Sequence, residues 1–288
     1  MIFATHPRAR AYFELFRLDR PIGTLLLLWP TLWALWLAGA GHPSPKNVLV
    51  FVFGVLLTRS AGCAFNDLAD RRLDPAVKRT RNRPLADGRL HAWQALLAGI
   101  IVFLIAFGLV LLTNVLTVQL SVAALALAAV YPLTKRYTYF AQVVLGAAFG
   151  WGIPMAFAAQ QGSIPPLGWL VFTVNLVWVV VYDTQYAMVD RDDDLKMGVK
   201  STAILFAEAD RAIIGILQLT TLGGLAMLGI RAELNAAFFY ALLPVAALFG
   251  YQQWLIRNRR RDACFRAFLN NNWVGGLVFA GIVVAYQW

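Results

Sequence analysis

The sequence predicts an all-α protein that crosses a membrane nine times. Of its residues, 60% are hydrophobic and only 14% are charged, which is far from the balance of a soluble domain. Charged residues are missing from several long stretches, and the polar segments between them carry most of the Lys and Arg on alternate loops. This combination is typical of a polytopic membrane protein.

The spans follow from the stretches without charge, which are 21–45, 90–134, 137–182, 212–230, 234–256 and 267–288. A membrane-spanning helix needs about 20 apolar residues. The two longest stretches contain turn signals, Thr113-Asn114 and the QGSIPP segment at 161–166, so each is divided into two spans. A further span at about 46–66 contains one charge, Arg59. No room is left for a soluble domain, and residues 1–288 are expected to form a single domain.

The distribution of basic residues predicts the orientation in the membrane. With alternate loops taken as one side, 22 of the 25 Lys and Arg lie on the side of the N-terminus, and only Lys46 and Arg231 lie opposite. Basic loops mark the cytoplasmic face, so the N-terminus is expected in the cytoplasm and the C-terminus on the other side. A bacterial inner membrane, with the C-terminus in the periplasm, is expected because the sequence shows no organelle transit peptide. The net charge of +10 is therefore explained by topology, and no nucleic-acid partner is expected.

Two polar segments each follow a span on the cytoplasmic side. Their acidic, amide and phenol side chains recur at helical spacing: Asn66, Asp70 and Asp74 in the first, and Asp183, Tyr186, Asp190 and Asp194 in the second. Residues four apart share one helical face within an arc of about 80°. Carboxylates this close repel one another unless a cation lies between them. The pattern therefore predicts a site for divalent metal and diphosphate.

The alternative for these segments is a solvated helix end. Asp near a helix C-terminus opposes the helix dipole, and both segments place several carboxylates there. An unfavourable arrangement that occurs twice implies a compensating cation. Mg²⁺ fits, because it is usually held by one or two carboxylates together with substrate phosphate oxygens.

Basic residues surround both segments. The loop after the second span contains Arg79 and Arg83, and the loop after the fourth contains Lys135 and Arg136. Positive-inside topology explains any one of them, but Arg79, Arg83 and Lys135 together can also clamp a diphosphate. 

Arg59 lies about two helical turns before Asn66, within the span. A charge at membrane depth usually faces a partner or a cavity, so Arg59 is either in a structural ion pair or awaits an anionic acceptor.

Several segments identify a family. NDLADRRLD at 66–74, RTRNRPL at 79–85, YPLTKR at 131–136 and DTQYAMVDRDDDLKMGVKSTA at 183–203 resemble the UbiA family of intramembrane aromatic prenyltransferases. The resemblance covers nearly the whole chain. Within the family, RLDRPIGTLLLLWPTLWAL at 17–35 and GWGIPMAF at 150–157 are most similar to bacterial members whose acceptor is 4-hydroxybenzoate.

The resemblance implies nine transmembrane helices around a central cavity with a cytoplasmic cap. It also implies Mg²⁺-dependent transfer of a polyprenyl group from polyprenyl diphosphate to the ring of 4-hydroxybenzoate, ortho to the hydroxyl, for ubiquinone biosynthesis. The implied metal ligands are Asn66, Asp70 and Asp74 for one Mg²⁺ and Asp190 and Asp194 for the other, with Asp67 a lesser candidate and Asp192 and Asp193 solvated neighbours. No obligate protein partner is implied.

The remaining roles also come from the resemblance. The residues implied to bind diphosphate are Arg79, Arg83 and Lys135, with Arg20 and Arg136 as weaker candidates. Arg59 would bind the carboxylate of the acceptor. Asp183 or Tyr186 would assist loss of the ring proton or orient the phenol.

Other functions remain open from the sequence alone. The same fold with another quinone precursor or haem as acceptor is one alternative, and Arg59 argues for an acceptor that carries a carboxylate. A cation or proton transporter would place ionisable groups near the middle of the bilayer, whereas here they cluster at one edge. A lipid phosphoalcohol transferase would carry a glycine-containing acidic motif that the sequence lacks.

Overall fold

The computed structural model describes residues 7–72, 74–76 and 80–287, without the side chains of Ala76 and Lys135. Within these ranges the regular structure is entirely helical. The helices are α1 Pro7–Leu15, α2 Ile22–Ala38, α3 Pro45–Asp70, α4 Ala92–Val110, α5 Val115–Tyr137, α6 Ala141–Gly150, α7 Gly152–Gln161, α8 Pro166–Met197, α9 Thr202–Phe206, α10 Asp210–Arg231, α11 Ala236–Ile256 and α12 Arg261–Gln287. Short 3₁₀ turns occupy Asp74–Ala76 and Ala207–Ala209.

The predicted number of spans agrees with the helices of these described ranges. Eight helical segments are long and apolar enough to cross a membrane, and α2, at 17 residues, is a shorter apolar helix. The segments Ala141–Gln161 and Thr202–Arg231 each count once although each contains two helices. The chain is a multi-pass membrane protein.

The predicted turns lie where the helices end. Asn114 caps α5, because its side-chain oxygen accepts a hydrogen bond of 2.9 Å from the backbone N–H of Thr117. Gly162 ends α7 in the left-handed conformation with φ of +71°, which glycine adopts without strain. Pro166 then starts α8.

The first acidic segment is not one continuous helix, and the predicted shared face is wrong for Asp74. α3 ends at Asp70, and Asp74 begins a 3₁₀ turn. Pro75 disfavours the helical conformation at the residue before it. Arg71 Nη1 donates a hydrogen bond of 2.9 Å to the carbonyl oxygen of Leu68, which satisfies one acceptor at the helix end. The second acidic segment, in contrast, lies wholly within α8.

The helices pack around α2, α8 and α12, which contact one another. Trp33 of α2 stacks on Trp178 of α8, with ring centroids 5.3 Å apart, and both side chains are fully buried. α4 and α5 lie at the outside and bury few of their residues. The core is therefore in the inner helices, while two outer helices present their apolar side chains outward.

Amide side chains connect the inner helices within the bundle. The hydrogen bonds run from Trp178 to Asn271, from Asn271 to Gln185, from Gln185 and Gln218 to Gln252, and from Gln252 to Asn270, all between 2.9 and 3.0 Å. They join α8, α10, α11 and α12. Polar side chains in a bilayer must find partners inside the protein, and this amide network supplies them.

We predict that Asn271→Ala destabilises the protein. The substitution leaves the Trp178 Nε1–H and the Gln185 Oε1 without the partner that each has at 2.9 Å. A buried polar group left unpaired costs about 1–3 kcal/mol. The midpoint of thermal unfolding in detergent measures the loss. Thr220→Ala is the control, because the Thr220 hydroxyl bonds only to its own helix at Ile216; equal midpoints for the two variants would contradict the expectation.

Candidate active site

The bundle encloses a cavity of about 1830 Å³. Its wall takes residues from α2, α3, α4, α5, α6, α7, α8 and α12 and from the segments before α2 and after α3. Apolar side chains such as Phe103, Phe107 and Leu125 line its interior. Charged and amide side chains cluster where α3 and α8 end and where α2 and α12 begin, which is one side of an alternating bundle.

The first acidic segment contributes a polar corner to the cavity. Asn66 lines the wall, and its Nδ2 donates a hydrogen bond of 3.3 Å to Asp70 Oδ2 one turn later. The other end of the amide, Oδ1, is buried and has no hydrogen-bond partner among the described residues. A buried acceptor beside a carboxylate is an arrangement that a cation would satisfy.

Asp67, the lesser metal candidate, is used differently. Its side chain is almost fully buried, and both of its oxygens accept hydrogen bonds of 2.7 Å from Arg17 Nη2. Arg83 Nη1 lies 2.9 Å from Asp67 Oδ1 and also 2.9 Å from Asp74 Oδ2. Burial raises the pKa of the Asp74 carboxyl, and the positive charge of Arg83 offsets part of this effect.

These contacts bear on two predicted roles. Arg83 Nη1 donates hydrogen bonds of 3.1 and 2.9 Å to the two carboxylate oxygens of Asp74, so the two side chains form an ion pair. The role of Asp74 as a metal ligand and that of Arg83 in diphosphate binding stay predictions. For Asp67 the structure shows a clear alternative, an anchor that ties Arg17 and Arg83 to the end of α3.

The second acidic segment faces the cavity along α8. Asp183, Tyr186 and Asp190 all line it, and Asp190 is buried. The ring of Tyr186 packs on Phe268 of α12, with centroids 4.6 Å apart. Asp194 follows one turn after Asp190, near the end of the helix, and its backbone oxygen accepts a hydrogen bond of 3.0 Å from Val199.

The two neighbouring carboxylates were expected to be solvated, and this is wrong for Asp193. Its side chain is largely buried and lies 3.0 Å from Arg261 Nη1. Asp192 is 72% exposed and lies 3.1 Å from Nη2 of the same arginine. Arg261, which lines the cavity, thus connects the start of α12 to the acidic end of α8.

The predicted basic residues divide into three groups. Arg20 and Arg83 line the large cavity. Arg136 lies beside Ala69 and borders a second, smaller cavity of about 570 Å³ with Arg71 and Arg72. Arg79 and the side chain of Lys135 lie outside the described residues, so their predicted contact with diphosphate has no structural description.

Arg59 lies in the wall of the cavity, as expected for a cation that awaits an anion. Its guanidinium carbon is 5.6 Å from the ring centroid of Phe149. Gly23 makes room for it, since a Cβ at that position would lie 2.6 Å from Arg59 Nη2. Its Nε is buried without a hydrogen-bond partner in the described part of the chain. A buried guanidinium nitrogen that no described residue satisfies favours the ligand-binding interpretation over a structural ion pair.

Sequence reasoning missed the arginines that hold the carboxylates in place. Arg17 and Arg261 are two of them. A further buried carboxylate that is paired with arginine is Asp210, at the start of α10. Asp210 is fully buried and accepts hydrogen bonds of 2.8 to 3.1 Å from Arg259. Arg191 lies 3.5 Å from it. Charge alone could have suggested these pairs, but the sequence does not say which arginine meets which carboxylate.

The candidate metal ligands fit a Mg²⁺ ion that also binds phosphate oxygens. Among the described residues, no three His, Cys, Asp or Glu side chains form a metal-binding group. Asn66 and Asp70 at one corner, and Asp190 and Asp194 one turn apart on α8, each offer one or two carboxylates. Mg²⁺ is commonly bound by so few protein ligands when phosphate oxygens and water complete its octahedron. The residues therefore fit a metal–diphosphate complex better than a metal alone.

Known proteins resemble this chain over almost its whole length. The model of the UbiA prenyltransferase family matches residues 27–275. A 4-hydroxybenzoate octaprenyltransferase of Alkalilimnicola ehrlichii is 60% identical, over 96% of this chain and 94% of its own length. One from Tolumonas auensis is 61% identical, over 95% of this chain and 96% of its own.

Two solved structures share the fold. A UbiA homologue from Aeropyrum pernix K1 superposes with a TM-score of 0.78 at 23% identity, over 90% of this chain and 97% of that chain. A UbiA homologue from Archaeoglobus fulgidus bound to GPP and Mg²⁺ superposes with a TM-score of 0.73 at 16% identity, over 96% of this chain and 100% of that chain. The arrangement of helices around the cavity is therefore that of known proteins.

We predict that Asp67→Asn lowers stability strongly. The substitution removes the negative charge that pairs with Arg17 and Arg83, whose side chains are 17% exposed. Removing one partner from a buried ion pair costs about 3–5 kcal/mol. Thermal unfolding in detergent measures this loss. 

Asp192→Asn is the matched control, because its carboxylate is 72% exposed and pairs with one arginine at the surface; the change there should be under about 1 kcal/mol. A stable but inactive Asp67→Asn variant would instead mark Asp67 as a metal ligand.

Proposed function

The chain belongs to the UbiA prenyltransferase family, and we propose that it is a Mg²⁺-dependent 4-hydroxybenzoate polyprenyltransferase. It transfers a polyprenyl group from polyprenyl diphosphate to the ring carbon ortho to the hydroxyl of 4-hydroxybenzoate. The product is 3-polyprenyl-4-hydroxybenzoate, a precursor of ubiquinone. The names of its relatives support an octaprenyl tail.

One cavity supports this chemistry by combining three features. Carboxylates and an amide lie at its polar end, an arginine with an unpartnered Nε lies in its wall, and apolar side chains line its interior. The polar end suits a diphosphate with its metal ions, and the arginine suits an aromatic acid. The apolar interior suits a hydrocarbon tail. A polyprenyl chain is too apolar for water, and this explains why the cavity lies within a membrane bundle.

The polar end would hold the diphosphate and its metal ions. Asn66 and Asp70 would hold one Mg²⁺, with Asp74 joining them on release from Arg83, and Asp190 and Asp194 would hold the other. When bound, the metal would stabilise the negative charge that develops on the leaving diphosphate. The basic residues Arg20, Arg79, Arg83, Lys135 and Arg136 would bind the diphosphate oxygens.

The acceptor would lie deeper, with its carboxylate on Arg59. Its ring would then extend toward the polar end, where the allylic carbon of the donor loses diphosphate. The diphosphate leaves with the bonding electrons, the resulting allylic cation forms a bond to the ring carbon, and loss of the ring proton restores aromaticity. Asp183 and Tyr186 line the same wall, and one of them would accept this proton or orient the phenol.

The position in the cell follows from the loops. We place the protein in a bacterial inner membrane as one domain over 1–288, with the N-terminus cytoplasmic and the C-terminus periplasmic, because basic residues concentrate on one set of loops. The polar end of the cavity then faces the cytoplasm, where 4-hydroxybenzoate is soluble. The donor and the product remain in the bilayer.

We predict that Asp70→Asn and Asp190→Asn each reduce turnover by about 100-fold or more, because each removes a carboxylate that charge stabilisation of the diphosphate depends on. Membranes containing the protein are incubated with labelled 4-hydroxybenzoate, octaprenyl diphosphate and Mg²⁺, and the lipid-extractable label is counted. Chelation of Mg²⁺ should abolish the product in the same assay.

Asp192→Asn serves as the control, because its carboxylate is 72% exposed and Asp192 is not among the residues that line the cavity. It should keep turnover within about twofold, as expected for a surface charge. Thermal unfolding confirms that all three variants are folded. Full activity in Asp70→Asn would remove that residue as a ligand. Product formed only with a different aromatic acceptor would keep the reaction class and replace the substrate.

A further inference from the structure

The last two turns of α8 extend beyond the closely packed part of the bundle. The helix has 32 residues, and the last of its buried side chains is that of Asp190. None of residues 191–197 is buried. Close packing holds a helix in one orientation only where its side chains are buried. Contacts of another kind are therefore needed to fix the orientation of this end, which contains Asp194.

Arginines join the end of α8 to two neighbouring helices. Arg261, at the start of α12, lies 3.0 Å from Asp193 through Nη1 and 3.1 Å from Asp192 through Nη2. On α8 itself, Arg191 lies 3.5 Å from Asp210, which is fully buried at the start of α10. Asp193 is 19% exposed, whereas Asp192 is largely in solvent, where ion pairs contribute little. The pair between Arg261 and Asp193 is therefore the main contact with α12.

The contacts with α10 and α12 lie on nearly opposite sides of α8. Successive residues of an α-helix are rotated by about 100°, so Arg191 and Asp193 are about 160° apart around the axis. By the same rotation, Asp190 and Asp194 both lie within the arc between them. A contact on one side only would leave the helix end free to rotate, whereas contacts on both sides oppose rotation in either direction. The two ion pairs thus fix the direction in which this arc faces.

We propose that Arg261 is a positioning residue for the second metal site. Because it holds Asp193, the end of α8 keeps the rotation in which Asp190 and Asp194 are directed toward the diphosphate and its metal ion. This inference rests on the proposed function, which assigns those two carboxylates to the metal. The role is not one that the charge of Arg261 alone suggests, since a cation close to a metal ion repels it.

This repulsion allows the two effects of Arg261 to be told apart with Arg261→Gln. If Arg261 acted on the site only through its charge, its removal would tighten metal binding. Loss of positioning weakens metal binding instead, by about tenfold, as is usual when a residue that orients a metal ligand is changed. The midpoint of thermal unfolding in detergent should change little, because the Arg261 side chain is 39% exposed.

Mn²⁺ is the probe, because it prefers the same octahedral oxygen ligands as Mg²⁺. Equilibrium dialysis of Mn²⁺ against the purified full chain, in the presence of inorganic diphosphate, measures the ions bound without catalysis. Arg260→Gln is the matched control, because it removes the same charge from the neighbouring exposed residue. It should keep Mn²⁺ affinity within about twofold. Unchanged or tighter Mn²⁺ binding in Arg261→Gln overturns the inference.

Asp193→Asn tests the same contact from the other side. It should also weaken Mn²⁺ binding, and it takes the place of Arg261→Gln if that variant does not fold. When two residues act through one contact, their losses do not add. The double variant should therefore bind Mn²⁺ no more weakly than the weaker of the two single variants. Losses that add would mean that Arg261 acts on the diphosphate directly, and they would overturn the positioning role.

Kinetics separate this inference from the proposed function. Wild-type protein that forms no prenylated 4-hydroxybenzoate rejects the proposed function. Mn²⁺ binding that falls in Arg261→Gln but not in Arg260→Gln would still support positioning, whereas equal binding by wild type and both variants would overturn it. In the active enzyme, Arg261→Gln should raise the Mg²⁺ concentration for half-maximal turnover about tenfold. The KM for 4-hydroxybenzoate should stay unchanged, and a rise in that KM alone would contradict the inference.

Discussion

The structure depends on the neutralisation of carboxylates at the edge of an apolar bundle. Asp67 shows this most clearly, because it is buried and receives Arg17 on one side and Arg83 on the other. One carboxylate thereby ties the segment before α2, the end of α3 and the segment that follows it. Arg83 also reaches Asp74, so the two acids share its charge. The polar wall of the cavity is built on this group of charges.

Carboxylates are paired with arginines in the other half of the bundle as well. Asp210 is buried and receives Arg259, with Arg191 nearby, and Asp193 pairs with Arg261. Arg191 and Asp193 lie on α8 next to Asp190 and Asp194 in sequence. The acidic end of α8 is therefore held to α10 by Arg191, which lies near Asp210, and to α12 by Arg261, which pairs with Asp193. In both halves, carboxylates close to the predicted metal ligands form ion pairs with arginines.

Much of this architecture could be predicted from the sequence. The spans follow from runs without charge. Asn114 begins α5 and Gly162 ends α7 at the positions of the turn signals. Arg59 was identified because a charged residue at membrane depth usually faces a partner or a cavity. The prediction that Asp74 shares a helical face with Asn66 and Asp70 was wrong, because residue spacing alone does not show that the helix ends at Asp70. 

The ion pairs were beyond prediction because Arg17 and Asp67 are 50 residues apart, and periodicity carries no information about such partners.

The amide network has a consequence for how the protein is made. Gln185, Gln218 and Gln252 enter the membrane on three different helices, and each amide has its partner on another helix. A helix inserted alone would expose its amide to lipid, where nothing can bond it. α12 follows the other three in the chain and supplies Asn270 and Asn271, so the network closes only after α12 has entered the bilayer. Before α12 enters, the amides of Gln185, Gln218 and Gln252 can bond to one another, but the Trp178 indole N–H lacks its partner Asn271, so the last helix of the chain completes the bundle.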